Sequence, residues 1–199
     1  MLYTHAMART ALSQAEVEDF RETLCETATR LFAEEGYEGV TLRALAANLG
    51  CSPMTPYRYF ENKAEIFEAV RTSAFSRFAD AQEQAAAGMT EPGERLRALC
   101  LAYVRFATNE PHAYRIMFEL DQSQIGEEAY RGWNVMLGTV QEAVASGIIE
   151  GDPEIVAHLL WSSVHGLVAL HLSGHLTLGR SLEELMDALL ERELYHLNG

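Results

Sequence analysis

Apolar residues recur three and four positions apart along nearly all of this 199-residue chain. No run alternates apolar with polar as a half-buried strand requires. Every buried face the chain can build therefore belongs to a helix, and the spacing predicts nine. The first opens at Ser13, paired with Glu16 in a capping box, carries Val17, Phe20, Leu24, Ala28, Leu31 and Phe32 inward, and ends at Gly36. A short second helix follows Thr41, with Leu42, Leu45, Ala46 and Leu49 buried. Gly50 turns the chain, and a third helix runs from Ser52 and Pro53 to Phe60. Asn62 caps a long fourth helix over 63–86. Beyond the turn-forming stretch 88–94, helices are predicted over 96–108, 112–120 and 127–146, then from Asp152–Pro153, and finally from the capping box Ser181/Glu184 to Leu197.

The segment 155–179 carries no formal charge over 25 residues, long enough for a membrane span by length alone. His158, His165, His171 and His175, with Ser162, Ser163 and Ser173, argue instead for a helix covered on all sides in a water-soluble bundle. The first residues hold no apolar run of signal-peptide length. The three cysteines, Cys25, Cys51 and Cys100, are widely spaced and odd in number, which fits a reducing cytoplasm.

Residues 36–63 read GYEGVTLRALAANLGCSPMTPYRYFENK, two short helices joined by a tight turn, the second crowded with polar and aromatic side chains. That is a device for placing a helix in the major groove of DNA. The net charge of −14 opposes it, but the balance reverses here: Arg43, Arg58 and Lys63, the only lysine in the chain, stand against Glu61 between 41 and 63.

Gly36, Thr41, Leu42, Leu45, Ala46, Gly50, Ser52, Tyr57, Tyr59, Phe60, Asn62 and Lys63 resemble the signature of the TetR family of bacterial transcriptional regulators. The stretches AYVRFATNEPHAYRIMF and WSSVHGLVAL, with Trp161, His165 and Gly166, resemble one subgroup of TetR-type ligand domains. The resemblance implies an all-α, nine-helix fold with a helix-turn-helix domain over 1–62 and an effector-binding and dimerisation domain over 63–199. It also implies a homodimeric repressor whose DNA contact is altered by a small molecule. Thr41 and Ser52, at helix N-termini, suit phosphates. Tyr57, Tyr59 and Lys63 suit backbone contacts. Arg58 suits guanine, Met54 or Thr55 a thymine methyl, and Arg43 a phosphate or groove edge. Pro56 departs from the family pattern, which has an aliphatic or aromatic residue facing inward there. It cannot donate to the Ser52 carbonyl and disfavours helical geometry at Thr55, so the third helix is expected to be kinked or partly 3-10.

An effector pocket is expected from Tyr103, Phe106, Tyr114, Met117, Phe118 and Trp161, with His165 or His112 as a polar handle. With no buried charge pattern in the sequence, a neutral apolar or aromatic effector is expected. Ser162, Gly166, Ala169 and Ser173 form a stripe of small residues, expected to meet its symmetry mate, with Leu182, Leu185 and Leu189 of the final helix completing a four-helix contact. His171 and His175 are four apart but lack further ligands beside them, so no metal and no cofactor is expected. The chain carries no GxSxG, GxGxxG, HExxH or P-loop, so it is not read as an enzyme. The expected partners are a palindromic double-stranded operator, a small-molecule effector and a second copy of the chain. The alternative is a DNA-binding regulator without a small-molecule effector, controlled by a protein partner. With Arg9 as the only further cation considered, on the N-terminal arm, one subunit should bind weakly, and two should bind half-sites about 34–36 Å apart or a multiple of it.

Overall fold

The computed structural model of the chain describes residues 13–120 and 126–195. Arg9 and Leu197 lie outside them. Among the described residues the regular structure is entirely helical. The elements are α1 (Gln14–Gly39), α2 (Leu42–Asn48), a 3-10 turn (Pro56–Arg58), α3 (Lys63–Ala86), α4 (Pro92–Asn109), α5 (Pro111–Phe118), α6 (Glu127–Ala145), α7 (Pro153–Leu172) and α8 (Leu182–Tyr195). The chain divides into two compact units, Met1–Val70 and Arg71–Gly199, with the division inside α3.

In the first unit α1 opens on the expected capping box: Glu16 N–H donates to Ser13 Oγ (3.3 Å) and Ser13 N–H to Glu16 Oε2 (2.8 Å). The helix breaks at Gly36, whose φ of 75° and ψ of 167° lie in a region essentially confined to glycine. The break turns Tyr37 back onto the core. Its ring lies 5.9 Å from that of Phe32 and 5.1 Å from that of Phe67, while Phe32 and Phe67 meet edge to face at 5.1 Å. Leu24, Ala28, Leu31, Val40, Leu45, Ala46 and Phe60 complete this core, and Val17 is exposed rather than inward.

The α-helix expected from Ser52 to Phe60 does not form, so among the described residues eight α-helices stand where nine helices were expected. Pro56 is the reason. It has no N–H to reach the Ser52 carbonyl, and that carbonyl instead accepts from Thr55 N–H at 2.8 Å. Arg58 N–H then bonds Thr55 O and Tyr59 N–H bonds Pro56 O, both at 3.0 Å, the three-residue spacing of a 3-10 turn. Pro56 itself is buried, filling the inward position with its ring.

In the second unit α4 packs on α5, α6 and α7, α6 on α7, and α7 on α8. Leu96, Cys100, Tyr103, Ala107, Val140, Leu160, Val164, Val168, Met186 and Leu190 form its core. Asp152 caps α7 by accepting from Glu154 and Ile155 N–H. Within the single chain α7 is covered on one side. Ala157, Leu160, Val164 and Val168 face the core, whereas Ile155, Leu159 and Leu170 are exposed. By length and composition alone α7 could cross a membrane, a test that core helices of soluble proteins also pass.

Candidate nucleic-acid interface and effector cavity

Thr41 holds the start of α2, its Oγ1 accepting from Ala44 N–H at 3.1 Å. Arg43 follows on the exposed side of that helix, and Ser52, Met54 (67% exposed), Tyr57 (49% exposed) and Arg58 are exposed on the turn beyond it. Neither Arg43 nor Arg58 forms an ion pair among the described residues. Two guanidinium groups are thus presented to solvent amid hydroxyl and thioether groups. That set can neutralise phosphates and reach base edges.

Four of the expected contacts are placed differently. Ser52 does not cap an α-helix, since none follows it. Tyr59 is half-buried, its ring 4.8 Å from that of Phe20. Lys63 is held inside the unit: its ammonium donates to the Tyr37 carbonyl (2.8 Å), lies 4.2 Å from the Tyr37 ring centre and 3.8 Å from Glu38. Thr55 is half-buried.

The second unit encloses a cavity of about 320 Å³, at the small end of ligand sites. Phe75, Phe78 and Gln82 reach it from α3, Tyr103 from α4, Met117 and Phe118 from α5, Trp133 and Met136 from α6, and His158 and Trp161 from α7. Its lining includes both tryptophans of the chain. Gly132 lets α6 come close to α3 here, because a Cβ on it would stand 3.2 Å from the Phe78 ring. Beside it Arg131 binds Asp80, Glu83 and Glu128, tying α6 to α3.

Of the residues expected at an effector pocket, Tyr103, Met117, Phe118 and Trp161 line this cavity. Phe106 does not: it is buried with Ala74, Phe75, Ala113 and Met117 behind the wall. Tyr114 is fully buried and joins a polar cluster, with the Tyr103 and Tyr114 hydroxyls 2.8 and 2.9 Å from Nδ1 of His165. His165 faces a second, shallower hollow of about 330 Å³ with Phe118, Trp161 and Ser162. Ser162 in that lining is on the exposed face, and the first cavity is the better enclosed. Burial pushes the Tyr114 phenol up to about 12 and that of Tyr103 further up, so both stay protonated. Arg71, Phe75, Phe78, Gln82, Tyr130, Trp133, Met136 and His158 line the cavity and were absent from the sequence-based set.

Residues 24–70 match the pattern described as bacterial regulatory proteins, tetR family, and residues 96–192 that described as tetracyclin repressor-like, C-terminal domain. Together these cover most of the chain. The chain belongs to the TetR family. It is therefore a DNA-binding transcriptional regulator, of a family that is not enzymatic. This TetR-family protein is 27% identical to the HTH-type transcriptional activator FasR of Mycolicibacterium smegmatis over 153 residues, 75% of this chain and 68% of that one. It is 35% identical to the HTH-type transcriptional repressor AcnR of Corynebacterium diphtheriae over 69 residues, 35% of this chain and 36% of that one. In fold it resembles the transcriptional regulator FadR from Bacillus subtilis in complex with stearoyl-CoA. The TM-score is 0.73 at 19% identity, over 87% of this chain and 97% of that one.

The His165 cluster makes this TetR-family protein sensitive to acid. Burial lowers the His165 pKa from the ordinary 6.5, while Glu119 pulls it the other way. The unfolded chain thus binds a proton more readily than the folded one. The stability tied to neutral His165 is present above pH 6.5 and is lost as pH falls below it. Urea midpoints at about pH 7.5 and about pH 5.5 should fall further for wild type than for His165→Gln. An equal fall in both would contradict the assignment.

Proposed function

We propose that this protein is a ligand-responsive repressor, acting in the cytoplasm as a homodimer on a palindromic operator and released from it by a small, largely apolar effector. The observation that carries this reading is the cavity walled by Trp133 and Trp161, which the protein's own side chains leave unfilled. A regulator governed only by a protein partner would have no use for such a space. The exposed set of Thr41, Arg43, Ser52, Met54, Tyr57 and Arg58 supports the DNA-contacting role. The small-residue stripe of α7 supports the dimer: Ser162 and Ser173 are exposed, Gly166 and Ala169 half-exposed, and no atom stands within 4 Å of a Cβ placed on Gly166. Leu182 and Leu189 lie in the subunit's own core, so Leu185 is the residue of α8 we assign to the contact. FasR and AcnR are named with opposite signs of regulation. The longer span of likeness is to the activator and the higher identity, confined to a shorter span, is to the repressor.

Selection of bound genomic fragments with purified protein, repeated with a panel of apolar metabolites, tests the reading. Recovery of fragments sharing an inverted repeat, and their loss with one class of metabolite, is expected. Fragments retained under every compound, with tryptophan emission unchanged throughout, would favour the protein-partner alternative.

A further inference from the structure

Gln82 places a neutral amide where an apolar side chain would pack. It follows Phe75 and Phe78 at successive spacings of three and four on one face of α3, is 3% exposed, and borders the cavity. One bond fixes which way the amide lies. The Leu99 carbonyl, 3.3 Å away, can only accept, so the amide nitrogen faces Leu99 and the oxygen is left for other partners. Among the described residues that oxygen takes no hydrogen bond, yet it is not one of the unpartnered polar atoms sealed from solvent. It therefore keeps surface of its own, and the space beside Gln82 is the cavity. Of the other buried polar side chains in the wall, Arg71 is engaged within the protein, and Tyr103 holds its hydroxyl 2.8 Å from His165 Nδ1. His158, on the exposed side of the wall, has the same polarity as Gln82. Its Nδ1 lies 2.7 Å from the Glu154 carbonyl and so carries the proton, which leaves Nε2 of the neutral ring an acceptor.

We propose that the effector carries a hydroxyl group, donated to Gln82 Oε1, on an apolar body seated among Phe78, Trp133, Met136 and Trp161. This rests on the effector reading above and adds the polar group that such a ligand brings. A ligand that fills the cavity strips water from the amide oxygen. A hydroxyl restores the lost bond. A ketone of the same shape sets acceptor against acceptor and leaves both unserved, and a site built around a hydroxyl rejects analogues that lack it.

The test uses the full-length protein and its own tryptophans, both in the cavity wall. Emission is titrated with 4-phenylbutan-2-ol and with 4-phenylbutan-2-one, which share a skeleton and differ in the donor. In wild type the alcohol should bind roughly five- to a hundredfold more tightly, the worth of a hydrogen bond made against an acceptor left bare. Gln82→Met should bring the two together by weakening the alcohol alone. Ketone binding in the variant shows that it still folds, and the wild-type comparison needs no variant at all. Equal or tighter binding of the ketone in wild type would overturn the hydroxyl assignment and leave an apolar effector site standing. An alcohol preference that survives in Gln82→Met would overturn the role of Gln82 and move the contact to another acceptor, such as His158. Failure of both compounds to change the emission would remove the effector reading and this proposal together.

Discussion

Arg58→Ala is expected to cost the protein roughly 1–3 kcal/mol at each half-site on its operator and much less on random duplex. Arg58 projects from the 3-10 turn beside Tyr57, exposed and without an ion pair among the described residues. It is the side chain best shaped for bidentate contact with guanine. The loss should be large because the protein has little positive charge to spare: Arg43 is another exposed cation without an ion pair among the described residues, in a chain of net charge −14. Lys63→Ala should behave differently. Its ammonium is spent on the Tyr37 carbonyl and ring, so its loss should lower the stability of the first unit by about 1–2 kcal/mol before it alters DNA selectivity. Competition between operator and random duplex across a range of salt separates the two. Equal losses on both duplexes for Arg58→Ala would contradict the base-contact role.

Gly166→Leu is expected to break the dimer without harming the subunit. A Cβ on Gly166 has open space around it, with no atom beyond its own stretch of helix within 4 Å, so the larger side chain is expected to clash with a second molecule rather than with its own subunit. Overpacking a close helix contact costs typically about 1–3 kcal/mol, and a two-fold contact counts it twice. Dimer affinity should therefore fall by roughly thirtyfold or more, with the unfolding temperature of the separated subunit little changed. Operator affinity should fall with it, because each subunit alone offers so few cations. Sedimentation at low concentration reads the first effect. A variant as dimeric as wild type would show that this stripe is not the contact.

Much of the fold was legible because its signals are local. The Ser13/Glu16 and Ser181/Glu184 capping boxes and the Asp152 cap are written in neighbouring residues, and α3 spans 63–86 as the spacing predicts. The effect of Pro56 was legible in kind, since a missing N–H is a covalent fact, but not in extent: the turn replaces the helix instead of bending it. The cavity was only half legible. Apolar spacing tells which side of a helix is covered, not whether it meets packed atoms or a void, so Phe106 and Trp161 look alike in sequence. A signal for the wall does exist in α3, where Arg71 and Gln82 interrupt an otherwise apolar stripe. The exposed side of α7 could not be read at all, because an uncharged helix has the same sequence whether its own chain or a second copy covers it.

The central claim is that occupation of the cavity changes the grip on DNA. The direct measurement is the affinity of the dimer for a selected duplex, by anisotropy, with and without a compound that quenches Trp133 and Trp161. A shift of roughly 5- to 150-fold, the usual range of coupling between sites, is predicted, weaker in the presence of the compound. A compound that saturates the cavity and leaves operator affinity unchanged would contradict the account.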